Sequence, residues 1–177
     1  MGQIIQLPLS LGGYPDNSAA LDPAECILLI AIRWWVDSYR RDEDPLPRLC
    51  QGLEAAGTCD AAFTIDALMA IIARTVRQPI AIHCPRCPHV SDDERHLLHA
   101  ASLTQAGNGH LAEKALCTAL LSAQGAAEFA LGPLQGLGEL FAEAEFFFRR
   151  RRSPVIEQAP AAAVEPWSPS APPATIH

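Results

Sequence analysis

Hydrophobic residues recur at helical spacing along most of the chain, and helix-start residues precede the periodic runs. Asp22, Pro23 and Glu25 combine a capping box with a proline at the first helical position, which predicts a helix to about Tyr39. Its apolar residues are Ile27, Leu28, Leu29, Ile30, Ile32, Trp34, Trp35 and Val36. Because they cover most of the circumference, we expect this helix to be central in the core or shared with a partner chain.

Two more helices and a short extended segment follow. Asp44 and Pro45 repeat the same start signal, and Gly57 is a natural stop. The apolar stripe between them is Leu46, Leu49, Cys50 and Leu53. A third helix is predicted over residues 60–76. Ile80-Ala81-Ile82 is predicted to be extended and to pair with a short strand at Gln3–Leu9.

The second half of the chain predicts an αα-hairpin and a final helix. Ser91 and Glu94 form another capping box, and this helix should run to about Ala106. A turn at residues 107–109 leads to a helix from about His110 to Ala123. Glycines near residue 125 and the pair Gly132-Pro133 predict breaks, so the last helix should begin at Pro133 and extend to about Arg150.

The predicted fold is all-α, an irregular bundle of five to six helices with at most a minor two-stranded β element. Hydrophobic residues make up 49% of the chain and aromatic residues only 6%, so alanine and leucine form most of the core. Residues 1–152 are predicted to form a single helical domain. Residues 153–177 are rich in proline and alanine and lack apolar periodicity, which predicts a disordered tail.

Charge and hydropathy narrow the class of partner. A net charge of −7 argues against a general nucleic-acid binder, which needs a basic surface. The longest apolar run, Cys26–Ile32, is far shorter than the roughly 20 residues that cross a bilayer, so no membrane association is expected. With no secretory signal visible, a cytoplasmic location is expected. In a reducing compartment the six cysteines are expected to be free thiols or metal ligands.

The most distinctive motif is His83-Cys84-Pro85-Arg86-Cys87-Pro88-His89, which we call the Cys/His loop (residues 83–89). Thiolate and neutral imidazole are the ligands that zinc prefers, and two residues between cysteines allow both sulfurs to reach one ion. The candidate ligands are Cys84, Cys87, His83, His89 and His96. The predicted function is a non-enzymatic, cytoplasmic regulatory or adaptor protein whose interhelical loop is stabilised by zinc.

Two alternative interpretations of the Cys/His loop remain open. Pro85 and Pro88 could simply stiffen a structural loop, or Cys84 and Cys87 could form a redox-active dithiol. No phosphate-binding loop, nucleophile elbow or HExxH motif occurs, so the sequence favours a non-enzyme.

A second unusual run, Phe146–Phe148 followed by Arg149–Arg152, has two interpretations. Three consecutive aromatic residues on a helix cannot all face one core, which indicates a partner protein, a homodimer interface or cover from the tail. The arginines could bind phosphate, an acidic partner or a membrane surface. They could equally be cations that neutralise a helix C-terminus. A metal-free helical protein-interaction module that acts through this end of the chain is therefore a third functional hypothesis.

Overall fold

The computed structural model describes residues 13–76, 78–121 and 123–154, and within these ranges the chain is an all-α bundle. The helices are α1 (Pro23–Arg40), α2 (Pro45–Glu54), α3 (Ala61–Thr75), α4 (Asp92–Gln105), α5 (Gly109–Ala119) and α6 (Gln124–Glu143), preceded by a 3-10 turn at Ser18–Ala20. The predicted fold class is confirmed. No strand occurs in the described ranges, where β pairing consists of isolated bridges, among them Asn17 with His89 and Val76 with Leu121. The predicted strand at Gln3–Leu9 and nearly all of the predicted tail lie outside the described residues.

Helix α1 is buried or half-buried along most of its length, as its apolar circumference predicts. Between Ala24 and Ser38 no residue is exposed, and the helix packs against α2, α3 and α4. Helix α6 packs along α3 on one side and against α4 and α5 on the other. The buried apolar side chains form one cluster to which all six helices contribute. None of the described helices is both long and apolar enough to cross a bilayer.

The predicted helix starts are confirmed where a local cap defines them. Glu25 accepts the backbone N–H of Asp22 at 2.9 Å, Asp44 accepts that of Leu46 at 3.0 Å, and Ser91 accepts that of Glu94 at 3.1 Å. Each bond satisfies a donor near the start of a helix that the helix itself cannot pair. These starts depend on residues within one turn, so the sequence is sufficient to predict them.

The prediction that Pro133 begins the last helix is wrong, because α6 starts at Gln124 and continues through this proline. Ala130, Leu134 and Leu137 form an uninterrupted buried stripe across the proline. The carbonyl that Pro133 leaves without an N–H partner belongs to Phe129, whose side chain is 77% exposed. Burial of the inward stripe therefore outweighs one missing hydrogen bond on the exposed side of the helix.

The predicted extension of α6 to Arg150 is also wrong, because the helix ends at Glu143. The backbone N–H of Phe146 donates to the carbonyl of Phe141 at 2.8 Å, and that of Glu145 donates to Ala142 at 3.0 Å. This is the Schellman pattern, and the Phe141 and Phe146 rings, 6.2 Å apart, supply its hydrophobic contact. The chain then runs without helix across the bundle as residues 146–154, which we call the C-terminal strap.

The end of α6 contains a residue whose replacement should stabilise the protein. Glu145 has a φ of 62°, a left-handed conformation that favours glycine. We expect Glu145→Gly to raise the free energy of unfolding by about 0.5–1 kcal/mol, measured by thermal denaturation. Glu143→Gly is the matched control and should lower it by a similar amount, since that residue is still helical. A lower melting temperature for Glu145→Gly would contradict this account.

Candidate functional site

The Cys/His loop is held against α1 by a buried arginine. The Arg33 side chain, 2% exposed, makes a bidentate ion pair with Glu94 of α4, which is fully buried; Nε donates to Oε1 at 2.8 Å and Nη2 to Oε2 at 2.9 Å. The same guanidinium donates to the carbonyls of Cys87 at 2.6 Å and His89 at 2.5 Å. Arg33 therefore connects α1, α4 and the backbone of the Cys/His loop.

Glu94 is the second anchor of the loop. Its carboxylate accepts the backbone N–H groups of Ser91 at 2.9 Å and His83 at 3.0 Å, and its Oε2 lies 3.2 Å from His83 Nδ1. Burial acts to raise the pKa of Glu94, but the hydrogen bonds and charge of Arg33, with the Ser91 and His83 bonds, bring it below its ordinary value. The residue therefore stays ionised in the folded protein at neutral pH.

Next to this pair, the extended segment before the loop is attached to the start of α4. Ile80 and Ile82 are buried, and the N–H of Ala81 between them donates to the carboxylate of Asp93 at 2.6 Å. Ser91 donates its hydroxyl to the carbonyl of Ala81. Burial raises the pKa of Asp93, and the Ala81 bond partly offsets that effect. The acidic start of α4 is thus helix-capping chemistry, as its sequence predicts, and also a clamp on the preceding segment.

The predicted zinc ligands occupy different environments in the loop and on α4. Cys84 and Cys87 bracket a tight turn, in which the N–H of Cys87 donates to the carbonyl of Cys84 at 3.0 Å. Cys84 and His89 are exposed, whereas Cys87 is half-buried. His83 directs Nδ1 toward Glu94, and His96 donates from Nδ1 to the carbonyl of Asp92 at 2.7 Å.

These ligands are not gathered around one point. Within the described residues there is no group of three or more His, Cys, Asp and Glu side chains that could hold a metal ion. Metal ligation by this set, including the recruitment of His96, stays a prediction. What the structure does show is that a buried ion pair already restrains the loop.

Two other cysteines are neighbours, which the sequence did not predict. All six cysteines are free thiols. The Cys50 side chain, with a smaller contribution from burial, raises the pKa of Cys59. Cys50 lies on α2 and Cys59 just before α3, so only the packing of the two elements could reveal the pair.

The C-terminal strap is fixed to α4 and α6 by Gln105. Its side-chain amide donates to the carbonyls of Phe146 at 3.0 Å and Gly138 at 3.1 Å, and its Oε1 accepts the N–H of Phe148 at 2.8 Å. Gly138 allows this approach, because a Cβ there would lie 3.3 Å from the backbone of Gln105. The Phe148 ring stacks on Phe141 with their centroids 5.3 Å apart.

A second buried ion pair fixes the far end of the strap. Arg151 donates to Glu25 from Nε at 2.6 Å and from Nη2 at 2.7 Å, and their side chains are 9% and 1% exposed. The guanidinium also lies over the Tyr14 ring, 5.4 Å from its centroid. Burial, and then the charge of Glu25, raises the pKa of Tyr14, so its hydroxyl stays neutral.

The strap divides the Phe-Arg run into an inner and an outer set. Phe148 and Arg151 face the bundle, whereas Phe147 is 65% exposed and Arg149, Arg150 and Arg152 are exposed. The expectation that one of the three phenylalanines lies away from the core is confirmed, although its premise that they are helical is wrong. The interpretation of the arginines as the cationic end of a helix is wrong, because α6 ends before them.

The fold and these contacts define a helical bundle with two buried arginine–glutamate pairs and a bound C-terminal strap. No protein-family model, curated protein or solved structure matches this chain. Any inference about function therefore depends on the geometry of its own residues.

Proposed function

We propose that this protein is a metal-free helical interaction module that binds an acidic, partly hydrophobic segment of a partner protein. The observation that carries the proposal is the C-terminal strap, which is held at both ends and presents Phe147 with Arg149, Arg150 and Arg152 to solvent. Aromatic residues and arginines are enriched among the residues that contribute most to binding at protein interfaces.

Charge complementarity supports an acidic partner. The chain has a net charge of −7 with 13 basic residues, and four of them are consecutive in the strap. Arg151 is neutralised by Glu25, and Arg149 lies 4.0 Å from Asp22 in an exposed ion pair, so the three outer arginines form a basic patch that is only partly neutralised. Such a patch attracts an acidic segment and orients it during encounter. A membrane surface is less favoured, since polybasic lipid-binding clusters usually have about 4–8 cations.

Preorganisation of the strap supports the same function. Gln105 and Ser102 hydrogen-bond its backbone, Phe148 is buried, and the Arg151 side chain is only 9% exposed. A partner therefore meets an ordered segment, and little conformational entropy is lost on binding. The zinc and thiol versions of the function gain no comparable support, because the Arg33–Glu94 pair already restrains the Cys/His loop.

The proposal predicts that outer-set residues of the strap determine binding. Short random peptides selected against the purified protein should converge on an acidic sequence with an aromatic or aliphatic residue. Phe147→Ala/Arg150→Glu should weaken binding of such a peptide by about 10- to 100-fold, measured by fluorescence anisotropy, because it removes an anchor and reverses a charge.

The matched control is Phe63→Ala/Arg74→Glu on α3, which alters an equally exposed phenylalanine (58%) and arginine elsewhere. It should leave the affinity within about twofold of the unmodified protein. Selection of peptides without acidic residues would refute the proposal. Equal weakening in both variants, or binding to phosphatidylserine vesicles but to no peptide, would also refute it.

A further inference from the structure

A cavity of about 320 Å³ lies between α4, α5 and the end of the C-terminal strap. His96, His99 and Leu103 line it from α4, and Leu111, Lys114 and Ala115 line it from α5. Ser153 and Pro154 of the strap close one side. A mostly apolar concavity with a few polar groups at one place is the usual form of a small-molecule site.

One wall of the cavity is a buried histidine ring. His99 is 7% exposed, and its Nδ1 lies behind the wall, where it makes no hydrogen bond within the described structure. The ring is held edge-on against Tyr14, with the centroids 6.0 Å apart. Burial, and then the charge of His96, lowers the pKa of His99. The imidazole is therefore neutral at pH 7 and forms part of the wall without adding charge.

Lys114 supplies the positive charge at the cavity. The lining also contains two histidines, of which His99 is neutral, and no aspartate or glutamate. In a chain of net charge −7 this is a local reversal of the overall balance. The remaining lining consists mainly of leucine and alanine, which favours an apolar body attached to an anionic group.

We propose that this cavity binds a small monocarboxylate with an apolar tail. The carboxylate would pair with the Lys114 ammonium, while the tail would contact Leu103 and Ala115. At about 320 Å³ the cavity is at the small end of the range for ligand pockets, which suits a ligand of about the size of octanoate. This inference does not depend on the proposed peptide-binding function of the strap.

Lys114 is the only lysine in the chain, which makes the test specific. Reductive methylation with ¹³C-formaldehyde places a label on Lys114 and on the terminal amine alone, and keeps the positive charge. Titration with octanoate should shift the Lys114 methyl resonance in a saturable manner. Octanol, which has the same tail without the charge, should bind about 3- to 10-fold more weakly.

Two test variants and one control separate binding in the cavity from binding elsewhere. Ala115→Leu fills the cavity from its wall and should abolish the saturable shift, whereas Ala67→Leu, at an exposed position on α3, should not. Lys114→Met changes only an exposed side chain, so its fold is secure. It should weaken octanoate binding, measured by calorimetry, by about 3- to 10-fold.

Four results would overturn the proposal. They are no saturable shift, equal affinities for octanoate and octanol, a shift that persists in a folded Ala115→Leu variant, and an unchanged calorimetric affinity in Lys114→Met. If a chain truncated after Pro154 bound octanoate and the full chain did not, the proposal would also be overturned, because residues 155–177 would then occupy the cavity.

Discussion

Replacing Glu94 with glutamine is expected to destabilise the protein by about 3–5 kcal/mol. The substitution preserves the shape of the side chain but leaves the Arg33 guanidinium, 2% exposed, as a buried charge without a counter-ion. Urea denaturation should report the loss. The matched control is Asp16→Asn, which removes a carboxylate from the exposed pair with Arg95 and should change stability by less than about 1 kcal/mol.

The pH dependence of stability tests the same pair independently. The folded-state pKa of Glu94 lies below its ordinary value of 4.5, so the ionised form is favoured by folding. Its contribution is present above pH 4.5 and is lost as the pH falls through the lowered folded-state pKa. The difference in unfolding free energy between the unmodified protein and Glu94→Gln should therefore shrink as the pH falls below that value. A difference that stays constant would contradict the assignment.

Cys84→Ser tests whether the Arg33–Glu94 ion pair or a metal ion holds the Cys/His loop in place. If Arg33 and Glu94 hold the loop, this exposed substitution should change stability by less than about 0.5 kcal/mol. If zinc holds it, the substitution should lower stability and metal content together. A stoichiometric amount of zinc, lost with Cys84→Ser, would restore the adaptor hypothesis in its zinc-stabilised form.

The second large effect is expected at the other buried pair. Arg151→Met should destabilise the protein by about 3 kcal/mol, because Glu25 is 1% exposed and would keep an uncompensated charge. The strap would lose its attachment to α1, so hydrogen exchange should accelerate in residues 146–154. Peptide binding through Phe147 should also weaken, although that side chain is unchanged, because the outer set would no longer be held in place.

Arg152→Met is the control for the second effect. This neighbour is exposed, and its replacement should alter stability by less than about 0.5 kcal/mol. The exchange of residues 146–154 should also stay slow. If Arg151→Met were as stable as Arg152→Met, the ion pair with Glu25 would not be what anchors the strap.

The sequence by itself determined where several helices start. The caps at Asp22, Asp44 and Ser91 act on N–H groups within one turn, so residue order alone specifies them. The buried face of α1 follows equally directly from its apolar circumference. The same reasoning fails at Pro133, where packing of α6 against α3 outweighs a local helix-breaking preference.

The anchors of the candidate site were decided only by tertiary structure. Arg33 lies 61 positions from Glu94, and Arg151 lies 126 positions from Glu25. Each residue taken alone is an ordinary charged side chain in its local sequence. They become buried pairs because the bundle brings α1 against α4 and the strap against α1, where low solvent access makes each charge depend on its partner. The sequence thus locates the Cys/His loop and the Phe-Arg run, while the packing of distant segments determines how both are held.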